Sequence, residues 1–162
     1  MPPAQEQAEK GSEPRLDLVT TLIPIGHLVS TLVLVGVIWT VQVVHYPLMA
    51  LVGEDRFVAY EAAHSPRMAA VVMVPWTVQG LTTVGLLLAR PAGVPASLVL
   101  AAAVAAAVPV IVTVVASVPA HVALGSGFDP VVHRRLVRTN WIRTTAWTAH
   151  APIAVAILVS AA

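Results

Sequence analysis

From Leu18 to Val44 the chain carries no Asp, Glu, Lys or Arg. That run is long enough to cross a membrane, because a helix needs about 20 apolar residues to span the hydrocarbon core. Three further stretches are long and mostly apolar, at about 66–89, 96–118 and 130–159, although the first of these carries Arg67 and the last Arg134, Arg135, Arg138 and Arg143. Composition points the same way. Hydrophobic residues make up 57 % of the 162 and charged residues 10 %, with a mean hydropathy of +0.83. A soluble domain carries roughly 25 % charged residues, so this chain lacks the charge to cover a water-facing surface. The expected fold is all-α: one integral membrane four-helix bundle over residues 18–162, multi-pass, with a short interfacial helix between spans one and two.

Residues 1–17 are polar and without apolar periodicity, which predicts a disordered tail. Glu6, Glu9, Glu13 and Asp17 stand where a signal peptide would be basic, so no signal peptide is expected. Tyr46-Pro47 marks the end of span one, since a residue before proline is pushed out of the α region. Phe57, Tyr60, Glu61 and His64 recur at helical spacing and predict the interfacial helix. Ser65-Pro66 then reads as an N-cap followed by proline at the first helical position, opening span two. Arg90 to Pro95 is a turn. Span three is almost wholly Ala and Val, and small residues let helices approach closely in lipid, so it is expected to be the most enclosed. Asp129-Pro130 is a second N-cap pair, and the last helix should protrude from the core at its start.

No cysteine is present, which excludes disulfides and thiolate chemistry, and a net charge of +1 offers no field for nucleic acid. The expected partners are a lipophilic small molecule and membrane lipid, and homo-oligomerisation stays open. Four spans put both termini on one side. Arg56, Arg67, Arg134, Arg135, Arg138 and Arg143 lie in or beside the first and third connections, against Lys10, Arg15 and Arg90 on the other side. Positive-inside counting therefore expects those connections in the cytoplasm, in a plasma membrane protein.

The same topology gathers His45, Tyr46, Glu61, His64, Arg67, His121, His133, Asn140, Trp141 and Arg143 toward one membrane face. His27 lies about 18 residues, or roughly 27 Å, away along span one. Asn140, Arg143, Trp147 and His150 form one helical stripe on span four. Intramembrane polar residues are costly and usually face a bundle interior or cavity. Gln42 and His45 are spaced to face the stripe from span one, and Gln79 lies deep enough in span two to form a floor.

Each feature has a plainer explanation. Trp39, Trp141 and Tyr46 suit interface anchors, Arg134, Arg135 and Arg138 suit lipid headgroups, and a lone histidine at a helix end is usually just hydrated. Glu61-Ala-Ala-His64 has the Glu-x-x-His spacing of di-iron bundles, but those need two such pairs and further glutamates. A site rich in histidine and poor in carboxylate suits copper, zinc, iron or haem better than a hard cation, and His45, His64 and His121 would be the ligands. No spacing specifies a metal, and a site with no cofactor is equally open.

Val118-Pro119, His121, Leu124, the run Asn140-Trp141-x-Arg143-Thr144 and the Ala-rich close resemble the anthrone oxygenase-like family of small four-helix membrane proteins. Val43-Val44-His45-Tyr46-Pro47 is similar to the ending of that family's first helix. His121 departs from the pattern, standing where members carry asparagine. The resemblance implies a monooxygenase, an enzyme of polyketide tailoring that oxygenates a reduced aromatic anthrone to a quinone. Such chemistry requires a base, for which His45, His64 or His121 is available. It also requires a cation to hold the enolate oxygen, a role for Arg143 with Asn140. Gln42, Tyr46, Gln79, Trp141, Trp147 and His150 would line the substrate pocket. The expectation is a membrane oxidoreductase for a hydrophobic aromatic or quinol-type substrate. The alternatives are a haem- or quinone-binding redox subunit and a non-catalytic accessory or transport protein.

Overall fold

Four helices, each long and apolar enough to cross a membrane, make up almost all of the computed structural model, which describes residues 18–162. They are α1 (Thr20–Met49), α2 (Glu54–Leu88), α3 (Ala96–Leu124) and α4 (Pro130–Ala161), and no strand occurs among the described residues. The tail expected at residues 1–17 lies outside them. Connections are short, so neighbours in sequence run antiparallel. α1 packs on α2 and α4, and α3 packs on α4, while α2 and α3 touch sparingly.

Proline shapes these helices without breaking them. Three times a five-residue π turn is followed by one residue and then proline: Leu18–Leu22 before Pro24, Val41–His45 before Pro47, and Thr113–Ser117 before Pro119. Proline lacks the amide hydrogen and its ring crowds the carbonyl four residues back. The wider i→i+5 turn gives that carbonyl room. Tyr46-Pro47 and Val118-Pro119 therefore sit inside α1 and α3, which run five and six residues beyond the ends expected for spans one and three.

Residues 54–64 are helical as the spacing required, but they are not a separate element. α2 is one helix of 35 residues, about 52 Å at 1.5 Å per residue. Ser65 and Pro66 lie within it, and the Ser65 hydroxyl donates to Glu61 Oε1 at 2.9 Å instead of capping. Transmembrane helices tolerate internal proline because neighbouring groups satisfy the freed backbone.

α3 is not the most enclosed helix. In the apolar window of each helix, 33 % of α1 and 28 % of α4 is buried, against 17 % of α3. Polar content decides this, not side-chain size. α1 brings His27, Ser30, Thr31 and Gln42 to the interior and α4 brings Asn140, Arg143, Thr144 and His150, all buried. These residues cannot face lipid cheaply, so α1 and α4 turn toward each other.

Apolar clusters close both ends. Tyr46, Met49, Phe57, Leu124 and Leu136 pack near the α1–α2 and α3–α4 turns. Leu86, Val94, Val99, Ala102 and Ile157 pack at the opposite end. The α3–α4 turn uses Gly127 at φ 141°, a backbone conformation that glycine adopts without penalty. Asp129 then caps α4 as expected, accepting from the amides of Val131 and Val132 at 2.7 and 3.1 Å. Asp129→Ala should lower unfolding stability in detergent by about 1 kcal/mol, measured as a shift in denaturation midpoint with helix content unchanged.

Candidate functional site

Two polar constellations lie inside the bundle. The first sits near the α1–α2 and α3–α4 turns and begins with Glu61 of α2, whose side chain is buried. Its Oε1 faces His121 Nδ1 at 2.7 Å and accepts from Ser65 at 2.9 Å. Oε2 has no hydrogen-bond partner. With the Nδ1 proton donated to the carboxylate, His121 keeps its Nε2 lone pair, which lies 3.4 Å from the Tyr46 hydroxyl. A carboxylate that fixes the tautomer of an imidazole is the arrangement that prepares a histidine to act as a base.

Arg143 of α4 is 9 % exposed. Its Nη1 donates to Ser117 Oγ and Asn140 Oδ1, both at 3.3 Å, and the guanidinium lies 5.4 Å from the centre of the Trp147 ring. Asn140 is itself held, donating to Gln42 Oε1 at 2.8 Å. Among the described residues no carboxylate pairs with Arg143, and its Nε has no partner. A desolvated cation held only by neutral groups is expensive unless further hydrogen bonds or an anion complete it.

Arg143 and Glu61 border one cavity of about 530 Å³. Leu34, Ile38, Tyr46 and Trp147 form its buried back, and Met68, Val72 and Trp76 of α2 line its side. The wall is apolar for most of its length and polar where His64, His121, Glu61, Ser117 and Arg143 meet it. Such a cavity suits a flat hydrophobic molecule with its oxygen atoms at one end.

His45 does not reach this cavity. The π turn at Val41–His45 takes one residue more than an α turn, which rotates the remainder of α1 by about 100°. Gln42 therefore points at Asn140, while His45 turns outward, its Nε2 3.3 Å from the Tyr60 hydroxyl. His64 stacks on His45 with ring centres 4.3 Å apart and planes 20° from parallel, and its ring lies 5.3 Å from that of His121. It borders both the cavity and an outer groove containing His45, Tyr60 and Arg67. Ring nitrogens lie in the ring planes, so stacked rings do not converge on a shared ion. No group of three or more His, Asp or Glu among the described residues is placed to hold a metal. Trp141 is also outside the cavity: it is 44 % exposed and packs edge-on against Trp39 at 5.7 Å.

The second constellation lies deeper and includes a residue that spacing along one helix set aside. His27 Nε2 and His150 Nε2 are 3.0 Å apart. His150 Nδ1 is 3.4 Å from Gln79 Nε2, which also donates to Thr31 Oγ1 at 2.9 Å. His27 Nδ1 lies 3.1 Å from Thr82 Oγ1, and Trp147 Nε1 donates to Gln79 Oε1 at 3.1 Å. One neutral proton arrangement satisfies them all. Gln79 donates to His150, His150 to His27, His27 to Thr82, and Thr82 to the Val78 carbonyl at 2.8 Å. Two nitrogens on opposite sides of one metal would stand about 4 Å apart, twice a metal–imidazole distance of about 2 Å. The pair is closer than that and does not fit axial haem ligation as it stands. Gln79 and His150, expected to line the substrate pocket, do not border the cavity; they lie behind Trp147, which does.

His27, Ser117, Thr31 and Thr82 are the interior partners that motif spacing did not single out as site residues, and Glu61 was singled out only with His64. A signal for one was present. His27 precedes His45 by 18 residues and His150 follows His133 by 17, so antiparallel helices bring the pair to matching depth.

Comparison with family models, curated proteins and solved structures returns no match. Gln79→Ala removes a partner from Thr31, Trp147 and His150 together. It should destabilise the bundle by about 1–3 kcal/mol, read as a lower melting temperature. Gln79→Glu keeps the acceptor for Trp147 but loses the donors to Thr31 and His150, and should not restore the parent's melting temperature.

Proposed function

We propose that this chain is a small plasma-membrane oxidoreductase of the oxygenase type, acting on a hydrophobic aromatic or quinol-type substrate. One observation carries the reading: an imidazole oriented by a buried carboxylate faces an apolar cavity that also holds a guanidinium with an unused donor. His121 is the base. Its Nε2 takes a proton from an acidic C–H or O–H of the substrate, and Glu61 holds the ring and stabilises the imidazolium. Arg143 is the oxyanion partner, positioned by Asn140, which Gln42 in turn fixes. Tyr46 and Trp147 border the ring-binding space.

For the anthrone that the family resemblance implies, the balance closes with dioxygen as the only co-reactant. Deprotonation leaves a carbanion whose charge spreads to the ketone oxygen. Its electron pair forms a C–O bond to dioxygen, and a proton completes the hydroperoxide. Loss of water then leaves a carbonyl, so the methylene carbon is oxidised and dioxygen is reduced to one carbonyl oxygen and one water. These steps call on no metal. A quinone-binding redox subunit would use the same cavity but would consume no oxygen, and an accessory or transport protein would do neither.

In reconstituted vesicles supplied with an anthrone, oxygen uptake should fall about 10²–10⁴-fold in His121→Ala and about 10²–10³-fold in Arg143→Gln. Trp141→Phe should leave it unchanged, and circular dichroism should report the same helix content throughout. An unmodified chain that takes up no oxygen with anthrones or quinols, or a His121→Ala variant as fast as the parent, sinks the proposal. A visible absorption band in the purified protein would favour the haem subunit instead.

A further inference from the structure

The cavity has one rim that is not buried, and it lies between α2 and α3. Ala62, Ser65, Ala69 and Met73 of α2 and Val118 and Val122 of α3 border the cavity and are exposed. Met73 is 54 %, Val118 51 % and Val122 71 % exposed. The opposite walls from α1 and α4 are closed, with Leu34, Ile38 and Trp147 at 1–2 %. Along α2 the rim runs from Ala62 to Met73, about 16 Å of helix at 1.5 Å per residue. α2 is about 52 Å long against a hydrocarbon core of about 30 Å, so a slot of this length begins among the headgroups and continues into the acyl chains.

Its chemistry is graded along that length. The deep part of the rim is Ala69, Met73 and Val118, with no group that would hold water, and Val122 lies at the shallow end beside His121. The shallow part leads to Glu61 and His121, with Arg143 about one turn deeper beside Ser117. Glu61 and Arg143 border the space, and each carries a buried polar atom without a partner: Glu61 Oε2, which accepts, and Arg143 Nε, which donates. A molecule that sits across them needs an apolar body, a hydroxyl for the carboxylate and an oxygen for the guanidinium. Molecules of that kind dissolve in bilayers with the oxygens near the headgroups, already oriented as the slot requires.

From this we infer that the cavity is loaded sideways from the bilayer, through the α2–α3 slot, by a membrane-dissolved phenolic molecule whose oxygens meet Glu61 and Arg143. The inference rests on the cavity being a substrate site, and it selects substrates by partition into lipid as well as by fit.

Trp147 and Trp76 line the cavity and serve as the reporters. Trp39 and Trp141 face outward, at 40 % and 44 % exposure, and are removed as Trp39→Phe and Trp141→Phe. The probe is a brominated long-chain alkylphenol in phosphatidylcholine vesicles, compared with a water-soluble brominated phenol sulfonate. The bilayer probe should quench the remaining fluorescence saturably. Ala69→Phe and Val122→Phe should abolish the saturable part, while Val104→Phe, 65 % exposed on the same helix and about 21 Å from Val118 at 1.5 Å per residue, should keep it. Quenching that survives both rim variants, or that the aqueous probe produces equally, overturns the sideways route. A complete absence of saturable quenching also overturns it. Saturable quenching without oxygen uptake retires the oxygenase reading and leaves the route standing.

Discussion

A guanidinium held inside a membrane bundle sets the terms for everything around it. Arg143 is buried, and its contacts are an amide oxygen, a hydroxyl and the face of an indole. Each contact commits a residue on another helix or turn. Asn140 needs Gln42 of α1 behind it, Ser117 ends the π turn of α3, and Trp147 is held by Gln79 of α2. Four helices are tied to one another through the surroundings of one side chain. Lipid cannot supply such partners, so α1 and α4 must form the interior seam.

The second network explains why the interior does not collapse around that charge. The chain from Gln79 through His150 and His27 to Thr82 uses each imidazole nitrogen once. A fully satisfied polar network specifies one arrangement of the helices, whereas apolar packing alone between Ala- and Val-rich surfaces permits sliding. Rigid support below and unsatisfied polar atoms above is the distribution expected of a site that has to receive something.

Much of this was legible in the residues, and the failures have physical causes. The apolar runs located four spans because lipid demands length and little else. Asp129-Pro130 marked a helix start because its cap is local. The stripe of Asn140, Arg143, Trp147 and His150 is buried throughout, since a single α-helix keeps its periodicity. Ser65-Pro66 carried the same local signal as Asp129-Pro130 and yet lies in mid-helix, because helix continuity in a bundle is decided by neighbours. The π turn hid the direction of His45, as spacing rules assume a constant 3.6 residues per turn. Glu61 looked like half of a di-iron motif with His64, but its partner is His121 on α3, a pairing that only the tertiary fold creates.

The cavity floor, made by Trp147 with Gln79 and His150 behind it, has a kinetic meaning. If the cavity is the substrate site proposed above, a chamber backed on that side is a cul-de-sac, and a product would leave by the doorway its precursor used. Traffic through such a doorway is exchange with one leaflet, not passage across the bilayer. When the product is as lipid-soluble as the substrate, the two compete for occupancy in proportion to their concentrations in that leaflet. On the proposed oxygenase reading, removal of the product from the membrane by whatever acts next would then set the pace of turnover.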